Sequence, residues 1–145
     1  MKKFMLTVIV VFLTLNIAWA DADRPVTIEQ LPQKAQQFLK KYYPQVGLSF
    51  AKEDSDWMSK EYEVVLTNGA KIEFAANGEW KSVERKADAV PADIVPQQIK
   101  DYVKQNYPDA RITKIDRDRR DYEVSLSNRL ELTFNKEFRL IEIDD

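Results

Sequence analysis

Residues 31–44 read LPQKAQQFLKKYYP, and residues 95–108 read VPQQIKDYVKQNYP. A Tyr-Glu-Val segment follows each stretch, as EYEVVLTN at residues 61–68 and as DYEVSLSN at residues 121–128. Similar segments in a fixed order, about 60 residues apart, indicate one structural unit that is used twice. The repetition therefore says much about the fold and little about activity.

Each copy begins with an amphipathic helix. In the first copy, Ala35, Phe38 and Leu39 recur at helical spacing. A proline follows each helix, and the residue before a proline is disfavoured in the α region, so each helix should end there. The capping-box spacing from Thr27 to Gln30 predicts that the first helix begins near Thr27. Pro32 then suits the first turn of the main helix, as Pro96 does in the second copy.

Alternating apolar and charged residues predict four strands after each helix. Period-two alternation, as at Tyr62, Val64 and Leu66, is typical of antiparallel strands with one buried face. Asn68-Gly69 and Asn77-Gly78 are signals for tight hairpins. The predicted strands span residues 47–53, 59–67, 70–76 and 79–86 in the first copy, and residues 110–117, 120–127, 129–135 and 138–144 in the second.

The predicted fold is α+β and consists of two tandem repeats. Each repeat is a helix plus a four-stranded antiparallel sheet, with the helices packed on one face of the sheet. The predicted boundaries are a signal peptide at residues 1–20, a polar leader at 21–26, repeat 1 at 27–86, a linker at 87–90 and repeat 2 at 91–145. Each half is small for an independent core, so we expect the repeats to fuse into one folded body.

The first 20 residues are typical of a secretory signal. Lys2 and Lys3 precede an apolar stretch that ends in Ala18-Trp19-Ala20, a small-x-small cleavage site. A membrane anchor is the alternative, but the stretch is short for a span of about 20 residues. Cleavage after Ala20 predicts a periplasmic or secreted protein that keeps no membrane span.

Composition excludes several classes of function. The chain contains no histidine and no cysteine, so it lacks the commonest general base and thiolate chemistry. Its formal net charge is −2, whereas nucleic-acid binding needs a basic surface. The charge therefore disfavours nucleic acid as a partner. We also expect no enzyme activity, no metal, no cofactor and a monomer.

Five aspartates lie near the first hairpin of each copy: Asp54, Asp56, Asp116, Asp118 and Asp121. Paired carboxylates can act as acid and base, and Asp54-Ser55-Asp56 begins like a calcium loop. The later positions of that loop, Met58 and Ser59, do not fit a calcium site. Solvated turns are the interpretation that the sequence favours.

Trp57 and Met58 are the candidate protein-binding residues. The first copy has residues 45–61 between its Tyr-Pro and Tyr-Glu-Val segments, whereas the second has only residues 109–121. The four extra residues fall around Asp54–Ser59, where no core-facing period explains a Trp-Met pair. Trp and Met are enriched at protein interfaces. The alternative is that Trp57 folds back over the sheet edge.

These features together resemble the PepSY-like domain family, also described as β-lactamase-inhibitor-like. The resemblance covers about residues 28–144, and its motifs are specific for the fold and weak for function. The second copy departs from the pattern at residues 134–138, where the glycine is missing and a phenylalanine replaces the tryptophan. The motifs that carry the resemblance are Tyr43-Pro44, Tyr62-Glu63-Val64, the run from Ile72 to Trp80, Tyr107-Pro108 and Tyr122-Glu123-Val124.

The resemblance implies a small exported protein without known catalysis, and it brings no catalytic or ligand residues with it. Relatives by fold include an inhibitor that lays a concave sheet on a secreted β-lactamase. We therefore expect a non-enzymatic protein that binds or inhibits an extracytoplasmic hydrolase, or another protein or peptide partner. The alternative function is a small-ligand-binding or envelope-sensing module.

Overall fold

The computed structural model describes residues 22–145, so the predicted signal peptide at residues 1–20 lies outside the described part of the chain. The sheet order follows the sequence, and every neighbouring pair of strands is antiparallel. The elements are β1 (Ala22–Pro25), α1 (Gln33–Tyr42), β2 (Leu48–Ser55), β3 (Lys60–Leu66), β4 (Lys71–Ala75), β5 (Trp80–Glu84), α2 (Gln97–Asn106), β6 (Ile112–Arg117), β7 (Asp121–Leu126), β8 (Glu131–Asn135) and β9 (Leu140–Asp144).

The prediction of two tandem repeats, each with its own four-stranded sheet, is wrong. Strands β1–β9 form one continuous nine-stranded sheet with two helices. The sheet is continuous because β5, at the end of the first copy, pairs directly with β6 of the second. Val83 lies opposite Ile115 in this pairing, so the buried surface passes from one copy to the other without interruption.

Eight of the nine strands match predicted strands to within about two residues at either end, and β1 is the strand that sequence reasoning missed. β1 lies inside the predicted polar leader at residues 21–26. Its sequence, Ala-Asp-Arg-Pro, has no apolar alternation and ends in a proline, which cannot donate a ladder hydrogen bond. β1 is a strand because it pairs with the longer strand β2, and its own residues show no preference for a strand.

A row of directly opposed apolar residues runs across the sheet and forms the centre of the core. Both helices cover this face: the Phe38 ring of α1 contacts Phe74 edge-on at 5.6 Å, and the Tyr102 ring of α2 contacts Phe134 in the same way at 5.5 Å. The row consists of Ala51, Val64, Ile72, Val83, Ile115, Val124 and Leu132, all of them buried.

A short 3-10 turn precedes each helix, at Ile28–Gln30 and at Ala92–Ile94. The predicted capping contact is present, because the Gln30 Oε1 accepts a hydrogen bond from the Thr27 backbone N–H at 2.8 Å. It closes the 3-10 turn, however, and α1 itself begins only at Gln33. The extended backbone of Pro32 separates the two elements.

The β4–β5 turn and the equivalent β8–β9 turn each contain one residue with a positive φ, but the residue types differ. Gly78 has φ +89°, and a Cβ there would lie 2.9 Å from the Lys34 side chain of α1. The backbone hydrogen bonds place Phe138, at φ +65°, in the position of Gly78. Leu140 therefore takes the place of Trp80, which corrects the predicted replacement of tryptophan by Phe138.

Arg117 reinforces the junction between β5 and β6. Its guanidinium lies 3.8 Å from the centre of the Trp80 ring, and its Nε donates to the Trp80 carbonyl oxygen at 2.8 Å. Its Nη2 also pairs with Glu79 at 3.1 Å, and Glu79 pairs with Lys34 of α1 at 2.8 Å. This chain of contacts ties the second copy to the helix of the first.

We expect Ile115→Ala to lower the free energy of unfolding by about 2–5 kcal/mol, because it leaves a cavity at the centre of the shared row. Unfolding should remain a single transition, since the row belongs to both copies. Chemical denaturation followed by tryptophan fluorescence and by circular dichroism measures both quantities. Ile141→Ala, at an exposed position, is the control and should change stability by no more than about 0.5 kcal/mol. Two separate transitions would contradict the shared core.

Candidate protein-binding surface

The turn between β2 and β3 is held by hydrogen bonds to Asp56. The Asp56 Oδ1 accepts hydrogen bonds from the backbone N–H groups of Met58 and Ser59, each at 2.8 Å. The Asp56 N–H in turn donates to the Ser59 carbonyl oxygen at 3.0 Å. The bonds from the Met58 and Ser59 amides lower the pKa of Asp56. The ionised carboxylate is the acceptor that stabilises the turn.

The turn between β6 and β7 has the same construction. The Asp118 Oδ1 accepts from the N–H groups of Arg120 and Asp121, at 2.7 and 3.0 Å, and these bonds lower the pKa of Asp118. The Asp118 N–H donates to the Asp121 carbonyl oxygen at 3.1 Å. Arg119 and Arg120 therefore occupy the tip positions that Trp57 and Met58 occupy in the first hairpin.

The four extra residues of the first copy are not in the turn, which differs from the expectation that they include Trp57 and Met58. They lengthen the hairpin by two residue pairs, Asp54 opposite Glu61 and Ser55 opposite Lys60. The last pair before the turn in the second copy, Arg117 with Tyr122, corresponds to Glu53 with Tyr62. The longer hairpin carries the Trp57–Met58 tip further out from the sheet.

Strand β1 pairs with residues 52–55 of β2, and this segment includes the added residues Asp54 and Ser55. Arg24 of β1 lies opposite Glu53, and its guanidinium binds the Glu53 carboxylate at 2.9 Å. Glu53 is only 8% exposed, and Lys60 approaches the same carboxylate oxygen at 3.6 Å. Burial raises the pKa of Glu53, but the contacts with Arg24 and Lys60 outweigh it, so the net pKa is lowered.

Trp57 and Met58 project from this hairpin into solvent, with 90% and 74% of their surfaces exposed. The structure therefore does not fold Trp57 back over the sheet edge. An arginine pair fills the equivalent positions of an equivalent turn, so the turn itself does not require apolar side chains. Most of the other aromatic side chains are buried or packed against the core, among them Phe38, Tyr42, Tyr62, Phe74, Trp80, Tyr102, Tyr122, Phe134 and Phe138.

The face of the sheet that the helices leave open is charged. Ion pairs cover part of it, including Lys71 of β4 with Glu63 of β3 at 3.3 Å and, within β6, Lys114 with Asp116 at 3.5 Å. A shallow depression of about 430 Å³ lies on this face where β5 meets β6 and β7. Its lining is Glu73, Lys81, Ser82, Lys114, Asp116, Arg117, Asp118, Asp121 and Glu123.

Glu123, at one side of this depression, has a raised pKa. A hydrogen bond with Glu131 of β8, partial burial and the charges of Glu131 and Asp116 raise the pKa of Glu123 to about 7. Lys114 opposes this shift. With this raised pKa, Glu123 gains or loses its proton close to neutral pH, which changes the charge of the open face there.

The candidate aspartates are divided between two hairpins and do not converge on one catalytic centre. Asp56 and Asp118 hold separate turns, and Asp116 pairs with Lys114. Asp54 lies opposite Glu61 in the β2–β3 ladder. Within residues 22–145, no group of three or more acidic side chains is arranged to hold a metal ion.

The raised pKa of Glu123 predicts a specific pH dependence. The folded state binds a proton here more tightly than the unfolded state, so this group stabilises the fold at low pH, and the contribution is lost as pH rises through about 7. Glu123→Gln should abolish this part of the pH dependence and should be more stable than the wild type at pH 8. Denaturation at pH 5 and pH 8, at fixed ionic strength, tests this. Glu29→Gln, at an exposed site away from the pair, is the charge-matched control, and an equal effect of both variants would contradict the assignment.

The profile of a family described as "Putative beta-lactamase-inhibitor-like, PepSY-like" matches residues 60–142. None of the curated proteins matches the chain. Neither helix within residues 22–145 is long and apolar enough to cross a membrane.

Three solved structures from Bacteroides are similar over most of the chain. One from Bacteroides thetaiotaomicron, described as a "putative calcium-regulated periplasmic protein", has 49% identity and a TM-score of 0.83 and covers 85% of this chain and 97% of its own. Two from Bacteroides vulgatus, both described as putative periplasmic proteins, have 48% and 31% identity and TM-scores of 0.83 and 0.81. They cover 87% and 86% of this chain, and 99% and 100% of their own. These descriptions confirm the predicted periplasmic or secreted localisation.

Proposed function

Since the chain belongs to the PepSY-like family, as the resemblance in its sequence predicted, we propose that it is an exported binding protein without catalytic activity of its own. Its target is another protein of the same compartment. The tip of the β2–β3 hairpin, Trp57 with Met58, makes the central contact.

The exposure of Trp57 on a hydrogen-bonded turn is the observation that carries this proposal. Large apolar side chains that are this exposed have no stabilising role in the free protein. Tryptophan is among the residues that most often dominate binding energy at interfaces, and methionine adapts to irregular pockets. The hydrogen bonds from Asp56 fix the turn before binding, which reduces the entropy that is lost on association.

Inhibition of an extracytoplasmic hydrolase is the concrete form of the proposal. A narrow hairpin that carries a tryptophan at its tip has the shape to enter a concave active site. The description of the family as β-lactamase-inhibitor-like supports this form. The charged open face would then lie beside the hydrolase and contribute orientation more than affinity.

Trp57→Ala should leave the melting temperature within about 2 °C of the wild type, because an exposed side chain contributes no more than about 0.5 kcal/mol to stability. The same change should weaken partner capture from periplasmic extract by at least ~1 kcal/mol, or about fivefold. Arg119→Ala, at the matched position of the second hairpin, is the control and should bind as the wild type does. Capture on immobilised protein, quantified by mass spectrometry, measures the effect.

Two outcomes would overturn the proposal. If Trp57→Ala and Arg119→Ala retain the same partners with equal affinity, the hairpin tip is not the binding site. If Trp57→Ala instead loses about 3–5 kcal/mol of stability, the side chain has a structural role. A photo-crosslinking residue at position 57, compared with one at position 119, gives an independent measurement of contact.

Envelope sensing is the second candidate function, and the Glu123–Glu131 pair is the observation that favours it. The raised pKa of Glu123, caused mainly by its hydrogen bond with Glu131, places the change in its charge near pH 7, and one relative is described as calcium-regulated. Titration with calcium at pH 6 and pH 8, followed by NMR, distinguishes the two functions. Saturable shifts at residues 123 and 131 would favour sensing, whereas their absence would favour protein binding alone.

A further inference from the structure

Strands β5 and β9 are equivalent in their pairing with the strand before them. Val83 lies opposite Ile72 and Glu84 opposite Lys71, whereas Ile143 lies opposite Leu132 and Asp144 opposite Glu131. Both ladders have a register shift at the same place, after Glu73 and after Thr133. The two strands therefore present the same backbone geometry at their outer edges.

The outer edge of β5 is paired, and that of β9 is not. β6 lies against β5 with Ile115 opposite Val83 and Lys114 opposite Glu84. Among residues 22–145, β9 is the last strand of the sheet and has no neighbour on its outer side. Val83 is fully buried, whereas its counterpart Ile143 is 49% exposed and the adjacent Ile141 is 58% exposed.

The opposite edge of the sheet shows how this protein protects an edge. β1 has only four residues, ends in Pro25, and carries the pairs Arg24–Glu53 and Asp23–Lys52. Short strands, proline and charge all discourage further strand addition. β9 has no proline and exposes two isoleucines, so it remains competent to accept a strand.

The charges on β9 determine what kind of strand it accepts. The sequence of β9 is Leu-Ile-Glu-Ile-Asp, with Glu142 between the two isoleucines and Asp144 directly after the second. Two antiparallel copies of β9 would bring these carboxylates close to one another, which disfavours pairing with a second copy of the chain. A strand with lysine or arginine opposite the carboxylates complements the edge, as Lys114 does opposite Glu84.

We propose that β9 binds an extended segment of a partner protein by antiparallel strand addition, and that this segment alternates basic and apolar residues. An apolar residue of the segment lies opposite Ile143, and a lysine or arginine lies opposite Asp144. Main-chain hydrogen bonds supply the affinity, and the alternating side chains supply the selectivity. The surface is at the other end of the sheet from β2 and does not depend on Trp57.

The chain's own β6 is the template for a probe peptide. The probe has the sequence of residues 111–117 with Asp116→Lys. In the protein Asp116 lies opposite Ser82 of β5, but the counterpart of Ser82 in β9 is Glu142, so a lysine replaces the aspartate. The Arg85 N–H donates to the Thr113 carbonyl oxygen at 2.7 Å, so Arg85 and Thr113 form a hydrogen-bonded pair. Hydrogen-bonded and non-hydrogen-bonded pairs alternate along an antiparallel ladder, so Val83 and Ile115, two positions away, are hydrogen-bonded as well. A control peptide carries an N-methyl group at the nitrogen of its Ile115 position, which removes the corresponding bond to Ile143 while keeping the charge.

The experiment is an NMR titration of the protein recovered from the periplasm. The probe should shift the amide signals of residues 140–144 and leave those of β5 unchanged. The N-methyl peptide should bind at least about threefold more weakly, the effect of one main-chain hydrogen bond. Asp144→Lys should weaken the probe by about three- to fivefold, and a peptide with Lys114→Glu should restore binding to that variant. Glu29→Lys, which makes the same charge change in the 3-10 turn before α1, should have no effect.

Four results would overturn the proposal: no shift at residues 140–144 at millimolar peptide, equal binding of the N-methyl peptide, equal weakening by Asp144→Lys and Glu29→Lys, or displacement of β6 from β5. A dimer of the free protein that protects the amides of β9 from exchange would assign the edge to a second copy of the chain. None of these results bears on Trp57, so the hairpin proposal stands or fails separately.

Discussion

The pairing of β5 with β6 is the contact on which the rest of the structure depends. Three residue pairs join the first copy to the second, and the central one places Val83 against Ile115. Each copy has one short helix and could cover little apolar surface alone, since a unit of about 60 residues is marginal. The joined sheet lets both helices cover a common row of residues, and Arg117 adds a contact that reaches through Glu79 to α1. Stability is therefore a property of the whole chain.

The two long hairpins show how one scaffold carries two different surfaces. Both turns rest on an aspartate that accepts two backbone hydrogen bonds, so their geometry does not depend on the residues at the tip. The tip residues are an apolar pair in one hairpin and an arginine pair in the other. The same independence appears in the ladders, where Glu53 of β2 and Arg117 of β6 hold equivalent positions. Glu53 binds the cationic Arg24, whereas Arg117 binds the anionic Glu79. The backbone is constant, and the chemistry of its surface varies.

Sequence reasoning predicted the parts of this molecule that local patterns determine. The alternation at Tyr62, Val64 and Leu66 predicted eight strands with nearly correct bounds, and the prolines after the helices predicted where both helices end. The single sheet and β1 were not predicted, because both result from contacts between distant residues. Val83 has no local feature that marks Ile115 as its neighbour, and β1 has no apolar period at all.

The candidate site was predicted only in part, for a related reason. Trp57 and Met58 were noticed as an apolar pair that lacks a core-facing period, and the structure places them in solvent. The explanation that they belong to inserted residues was incorrect, since alignment of the copies by length alone could not separate the turn from the ladder. The Glu123–Glu131 pair was missed because it joins two strands diagonally, and spacing along the chain does not reveal such a contact.

The first strand has a consequence for how the protein withstands proteolysis. With processing after Ala20, only Asp21 would precede β1, so an aminopeptidase would need to remove very few residues to reach Arg24. Loss of Arg24 would leave the buried carboxylate of Glu53 with Lys60 as its remaining cationic neighbour at 3.6 Å. The full length of β2 would then become an open edge. The resistance of a chain processed in this way to aminopeptidases would therefore depend on how firmly the four residues of β1 stay paired with β2.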